Sequence, residues 1–165
     1  MIIDLTVEVP RGSRNEYSID RETGRVHLKR TLLTDMVYPA DSGYLDYTLG
    51  PNGGPLNALL LLEEPTYPGV AVTVRPVGLL RMHSTRDTEE RIITVPAQDP
   101  RWSTTLEITD LSEHTRHSLQ HFFQHYTDLE SGPVVTVDGF GSRDEAERLV
   151  TTALNAFRSR DRSEY

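Results

Sequence analysis

The chain has 165 residues, enough for one ordinary domain and too few for two. Hydrophobic residues make up 36% and charged residues 25%, which excludes a disordered or fibrous chain. The formal net charge of −8 excludes the basic field that non-specific nucleic-acid binding needs. The absence of cysteine removes disulfides, thiolate metal sites and a thiol nucleophile.

No apolar run approaches the roughly 20 residues of a membrane-spanning helix. The start, MIIDLTVEVPRG, shows no basic stretch leading into an apolar one, so no secretory leader is read there. The expectation is a single cytoplasmic domain over 1–165 with neither membrane nor nucleic acid as partner. An acidic chain often devotes carboxylates to divalent metal, so the charge invites a metal site as one reading. Lys29 is the single lysine among 17 cations, so chemistry needing an ammonium has one candidate.

Residues 2–9 alternate as a strand does and stop at Pro10 and Gly12. Residues 16–20 and 25–33 flank Arg21-Glu22-Thr23-Gly24, a hairpin turn. Residues 38–57, rich in Gly, Pro, Asn, Asp and Tyr, read as one long irregular loop of the kind that carries function. Strand-like runs follow at 58–62, 70–82 and 91–96. From Ser112 to Tyr126 the period becomes helical, with Leu119, Phe122, Phe123 and Tyr126 on one stripe. A strand is predicted over 134–138. Ser142-Arg143-Asp144-Glu145 then reads as a capping box opening a helix to about Arg158, with Ala146, Leu149, Val150, Leu154 and Phe157 inward. Five or more strands followed by helices predict an α+β fold, a closed barrel with helices outside.

Five segments, VEVPRGSRNEYSID, HLKRTLLTDMVYPADSGYLDYTLG, RPVGLLRM, ITVPAQDPRW and HFFQHYTDLE, together resemble the soluble, Mg-dependent inorganic pyrophosphatases (family I) of bacteria. The resemblance runs from about residue 4 to 140, in the family's order and spacing. It implies a five-stranded OB-like barrel with peripheral helices. It also implies hydrolysis of pyrophosphate by three or four Mg²⁺ ions held on carboxylates, with Lys, Arg and Tyr gripping phosphate oxygens.

Several family positions differ here. Where the family reads D-G-D-P-x-D, this chain reads Asn52-Gly53-Gly54-Pro55-Leu56-Asn57. Gly54 stands where the family places the aspartate that orients the attacking water. Ser84 replaces a further metal-binding aspartate, and Glu89 replaces another while keeping its charge. The family's K-Y-E becomes Glu16-Tyr17-Ser18, its second phenol becomes Ser42, and its final lysine becomes Thr127 beside Tyr126. Glu8, Arg30, Tyr38, Glu89 and Tyr126 are retained, with Arg91 in place of a lysine.

Five carboxylates and two lysines are thus missing from one pocket, which predicts a mostly neutral polar cleft and no efficient hydrolysis. Groups that act as a unit fail together. Three readings stay open: a pseudoenzyme or binding partner of an authentic pyrophosphatase; a metal-independent cyclase, isomerase or lyase for an organic substrate; and a residual Mg-dependent diphosphatase. No cofactor is expected except Mg²⁺ under the third.

Each retained residue also has a plainer reading. Glu8 fits a solvated strand carboxylate as well as a pocket one, and Arg30 and Tyr38 fit internal packing as well as ligand binding. Tyr126 falls on the apolar stripe and reads as core. Asp41 and Asp46 read as solvated turn residues. The Asn52–Pro55 turn lacks any phosphate-loop pattern and reads as a plain turn. His114, His117, His121 and His125 share a helical face with metal-binding spacing. In the resembling family, His at the positions of His121 and His125 and Asp at Asp128 lie at subunit contacts. An interface of a homo-trimer or hexamer, or of a hetero-oligomer, is therefore expected there rather than a metal.

Overall fold

Strand β1 (Ile3–Val9) hydrogen-bonds along both of its edges. Ile3 to Thr6 pair antiparallel with β6 (Ala71–His83), and Leu5 to Val9 with β4 (Asp41–Leu45), so the two pairings overlap at Leu5 and Thr6. From β4 the sheet continues antiparallel to β5 (Asn57–Leu60), parallel to β7 (Thr88–Pro96) and antiparallel back to β6. The order β1-β4-β5-β7-β6 therefore closes on itself. Closure leaves no strand edge in the ring. This is the five-stranded OB-like barrel of an α+β fold, seen in a computed structural model that describes residues 1–163.

Three additions complete the architecture. Strands β2 (Asn15–Ile19) and β3 (Val26–Thr31) form a separate hairpin, and β8 (Thr136–Gly141) extends the sheet beyond β6. Helices α1 (Glu113–His125) and α2 (Arg143–Ser163) pack on the barrel. Among the described residues no helix is long and apolar enough to cross a membrane.

Both faces of the barrel wall are buried. Ala58 and Leu60 join a core with Leu5, Val7, Ile92 and, from α2, Ala146, Val150 and Ala153. Leu59 and Leu61 join the other core with Ile93, Val95 and, from α1, Phe122 and Phe123. A strand buried on both sides needs no polar alternation, which explains the unbroken run Ala58–Leu62.

Helix α1 starts where Ser112 Oγ accepts the Thr115 amide at 3.1 Å. The cap of α2 is half of the expected box: Ser142 Oγ accepts the Glu145 amide at 3.2 Å, while the Glu145 carboxylate pairs with Arg81. Helix α2 also runs past the predicted end at Arg158 to Ser163.

The segment 38–57 is not one loop. Its residues Asp41–Leu45 are a barrel strand, and its polar composition concealed that. Asp41 is not a solvated turn residue either, being 1% exposed. Its carboxylate accepts from the amides of Arg11 (2.8 Å) and Thr66 (2.9 Å) and from the Thr66 hydroxyl (2.7 Å), which satisfies a buried charge. Asp46 is half-buried, accepts the Thr6 hydroxyl at 2.7 Å, and has its carboxyl raised above the usual range by burial.

Gly43 shows why this strand needs an unusual composition. A Cβ there would lie 1.9 Å from the Thr6 carbonyl oxygen of β1. Gly43→Ala should push β4 away from β1 and destabilise the protein by about 3 kcal/mol or more, read as a lower urea midpoint.

Candidate functional site

The antiparallel register of β2 and β3 places Glu16 directly opposite Arg30. Arg30 Nε donates to Glu16 Oε2 at 2.7 Å and Nη2 to Oε1 at 3.2 Å. The Tyr38 hydroxyl donates to the same Oε1 at 2.6 Å. The remaining guanidinium nitrogen, Nη1, donates to Glu130, which follows α1 in the chain. Burial alone would push the Glu16 carboxyl up, but Arg30 and Tyr38 outweigh it and hold the group below its ordinary range. Burial and the adjacent Glu16 charge push the Tyr38 phenol far up.

A second set comes from β5 and β7. Their parallel register sets Asn57 beside Arg91, and Glu89 lies two residues before Arg91 on the same face. Glu89 Oε1 accepts from Arg91 Nη2 at 2.9 Å and from Asn57 Nδ2 at 3.1 Å. Arg91 Nη1 reaches Ser42 Oγ at 3.4 Å, and its guanidinium carbon stands 4.6 Å from the centre of the Phe123 ring.

Glu8 enters the site through a β-bulge. Val7 opposes Gly43 and Val9 opposes Ser42, so Glu8 is the extra residue that the bulge re-aims. Its Oε2 accepts the Ile19 amide at 3.0 Å. Burial raises the Glu8 carboxyl, and the Ile19 amide together with Lys29 and Arg91 only partly counters that rise.

These sets meet in a cleft of about 360 Å³ lined by all six retained positions, Glu8, Arg30, Tyr38, Glu89, Arg91 and Tyr126. The substituted positions Glu16, Ser18, Ser42 and Asn57 line it as well, as does Lys29. Tyr126 does two things: it stacks on Phe122 with centroids 5.0 Å apart, and it also faces the cleft.

Asn52 and Gly54 lie in an adjoining hollow of about 320 Å³ that shares Asn57 and Glu89 with the cleft. Ser84 lines neither space. It closes the turn after β6, where its hydroxyl accepts the amides of Arg86 (3.2 Å) and Asp87 (3.3 Å). Thr127 also lines neither, and its carbonyl accepts the Glu130 amide at 3.0 Å.

Sequence reasoning missed Glu130. It ends the segment HFFQHYTDLE, but nothing local indicates that it meets an arginine 100 positions away. The metal donors are scattered: among the described residues no three His, Cys, Asp or Glu side chains come together as a metal would require. On α1, His121 and His125 stack with centroids 4.8 Å apart, and His125 Nδ1 lies 2.7 Å from Asp128 Oδ2. His114, His117 and His121 are exposed along the same helix.

The raised Glu8 carboxyl means that the folded state holds this proton more tightly than the unfolded chain. Stability from this group is therefore lost as pH rises past the ordinary glutamate value of about 4.3. Glu8→Gln should be more stable than the wild type at pH 7, and the gain should vanish below about pH 4, as thermal melts across pH would show.

Comparison with known proteins agrees with this architecture. The family model described as inorganic pyrophosphatase matches residues 5–158. An inorganic pyrophosphatase of Leifsonia xyli is 49% identical over 147 residues, covering 89% of this chain and 90% of that one. One from Corynebacterium glutamicum is 42% identical over 159 residues, covering 96% and 100% respectively. The crystal structure of the Thermus thermophilus inorganic pyrophosphatase superposes with a TM-score of 0.91 at 36% identity, covering 95% of this chain and 91% of that one. The chain belongs to the inorganic pyrophosphatase family.

Proposed function

We propose that this member of the family is a binding or assembly protein and not a competent hydrolase of pyrophosphate. The observation that carries the reading is the state of the cleft carboxylates. Glu89 is committed to Arg91 and Asn57, Glu16 to Arg30 and Tyr38, and one Glu8 oxygen to a main-chain amide. Mg²⁺ gives up its water reluctantly and is held by carboxylates free to approach it. The residues present do not fit a magnesium cluster.

The neighbouring turn supports the same reading. Only Gly53 has a left-handed backbone, with φ of 84°, so only Gly53 needs to be glycine. A Cβ on Gly54 meets nothing within 4 Å. The missing carboxylate at 54 is therefore not a concession to backbone geometry, because an aspartate has room there.

A second reading, hydrolysis with fewer metals, is favoured by the 49% identity to a relative named inorganic pyrophosphatase. Phosphate release from pyrophosphate with Mg²⁺, Mn²⁺ or Zn²⁺ separates the two. We expect no turnover above a denatured control, and turnover near that of family members would overturn the proposal. Asn52→Asp, Gly54→Asp and Asn57→Asp together should restore little, since Glu16, Ser18, Ser84 and Thr127 are unchanged. Substantial recovery would show that the remaining positions matter less than the charges imply.

The proposal includes a trimeric or hexameric assembly, of this chain alone or with an active pyrophosphatase, through the face holding His121, His125 and Asp128. The support is an exposed helix face on which Asp128 orients His125. Replacing His121 and His125 by glutamate should reduce the mass measured by light scattering; an unchanged mass would remove this face from the assembly.

A further inference from the structure

The hollow beside the cleft has a chemistry of its own. Its polar lining is Asn52, Asn57, Thr88, Glu89 and Glu90, with neither lysine nor arginine among the described residues that face it. Asn57 Nδ2 and Arg91 Nη2 both donate to the same oxygen, Glu89 Oε1, at 3.1 and 2.9 Å. Asn57 Oδ1, Glu89 Oε2 and both Glu90 oxygens are left as acceptors without a partner among the described residues. A space lined by two carboxylates and spare acceptors is complementary to a cationic donor. An ammonium group is such a donor, with three N–H bonds to give and no acceptor.

The hollow continues into an apolar one of about 200 Å³, and Gly50, Pro51 and Leu149 line both. Beyond them the wall is Leu49 together with Thr152, Ala153 and Ala156 of α2. The Leu49 amide donates to the Ala153 carbonyl at 3.0 Å, which fixes the loop against the helix. Small side chains at 153 and 156 leave the space open. Gly54 does the same at the polar end, where a Cβ would meet nothing within 4 Å. Taken together the two hollows have the size of a small-molecule site, roughly 300–1,000 Å³.

We propose that this trough binds an organic monocation, an ammonium group carrying an apolar tail. The ammonium sits among Asn57, Glu89 and Glu90, and the tail runs past Leu149 towards Ala156. A monocation asks less of the site than Mg²⁺ does, because amide oxygens and one or two carboxylates satisfy its donors without stripping a tightly held water shell. The tail gains by leaving water for the apolar hollow. The proposal rests on the reading that this chain is a binding protein and names the class of its ligand. It concerns the hollow beside the cleft and leaves the anion-binding groups of the cleft untouched.

Methyl NMR of the ¹³C-labelled full chain, titrated with n-hexylammonium chloride in EDTA, tests it. The Leu49 and Leu149 methyl signals should shift saturably, with a Kd in the millimolar range or tighter. n-Hexanoate has the same tail and the opposite charge, and ethylammonium has the charge without the tail; each should bind at least about tenfold more weakly. Glu90→Gln should weaken hexylammonium about two- to fivefold, as loss of a part-exposed ion pair does, and Glu90→Lys at least about tenfold. Ala156→Trp fills the apolar end and should abolish the shifts. If that variant does not fold, Thr152→Trp, at an exposed position on the same hollow, takes its place.

Hexanoate binding as tightly as hexylammonium overturns the proposal, as do shifts that spare Leu49 and Leu149 or binding unchanged by the tryptophan. Displacement of hexylammonium by millimolar Mg²⁺ also overturns it, because the hollow would then be a metal site. Phosphate release from pyrophosphate by the wild type counts against the underlying reading. Failure of hexylammonium to bind counts against this ligand class alone.

Discussion

Closure of the barrel through β1 is the constraint on which the rest of the molecule depends. One seven-residue strand bonds to β6 at one end and to β4 at the other. Leu5 and Thr6 pair with both neighbours at once, one along each edge of the strand. The Gly43 backbone approaches so closely that no side chain fits between β4 and β1, and the bulge at Glu8 absorbs the mismatch in register. The same bulge turns Glu8 towards the cleft. A requirement of closure thus supplies one of the site residues.

Around that ring the cleft is organised by a second constraint, that buried charge must find a partner. Cross-strand register supplies the partners for Arg30 and Arg91, antiparallel in one case and parallel in the other. The outcome is a polar cleft whose ionic groups are largely bonded to one another. A carboxylate already paired with arginine, amide or phenol must give up that partner to approach a hard cation.

The helices and most strands were legible because their hydrophobic spacing is local. Leu119, Phe122 and Phe123 recur at helical period, and the stretch feeding β6 and β7 is rich in apolar and β-branched residues. Strand β4 was not legible. Its sequence, Asp-Ser-Gly-Tyr-Leu, carries turn chemistry, and it is a strand only because Asp41 finds three donors on distant segments and Gly43 admits a neighbouring backbone. Local propensity gave way to tertiary pairing.

Read alone, the sequence determined composition, the absence of thiol chemistry, the family and the list of altered pocket positions, because each of these is a property of residue identity and order. What those positions do to one another was decided only by the fold. Whether Glu16 opposes Arg30, whether Glu89 faces Asn57 and Arg91, and whether Glu130 reaches across from the end of α1 all depend on register and on contacts between segments far apart in the chain. Charge counts are additive along a sequence, but charge pairing is a matter of distance, and distance belongs to the tertiary structure.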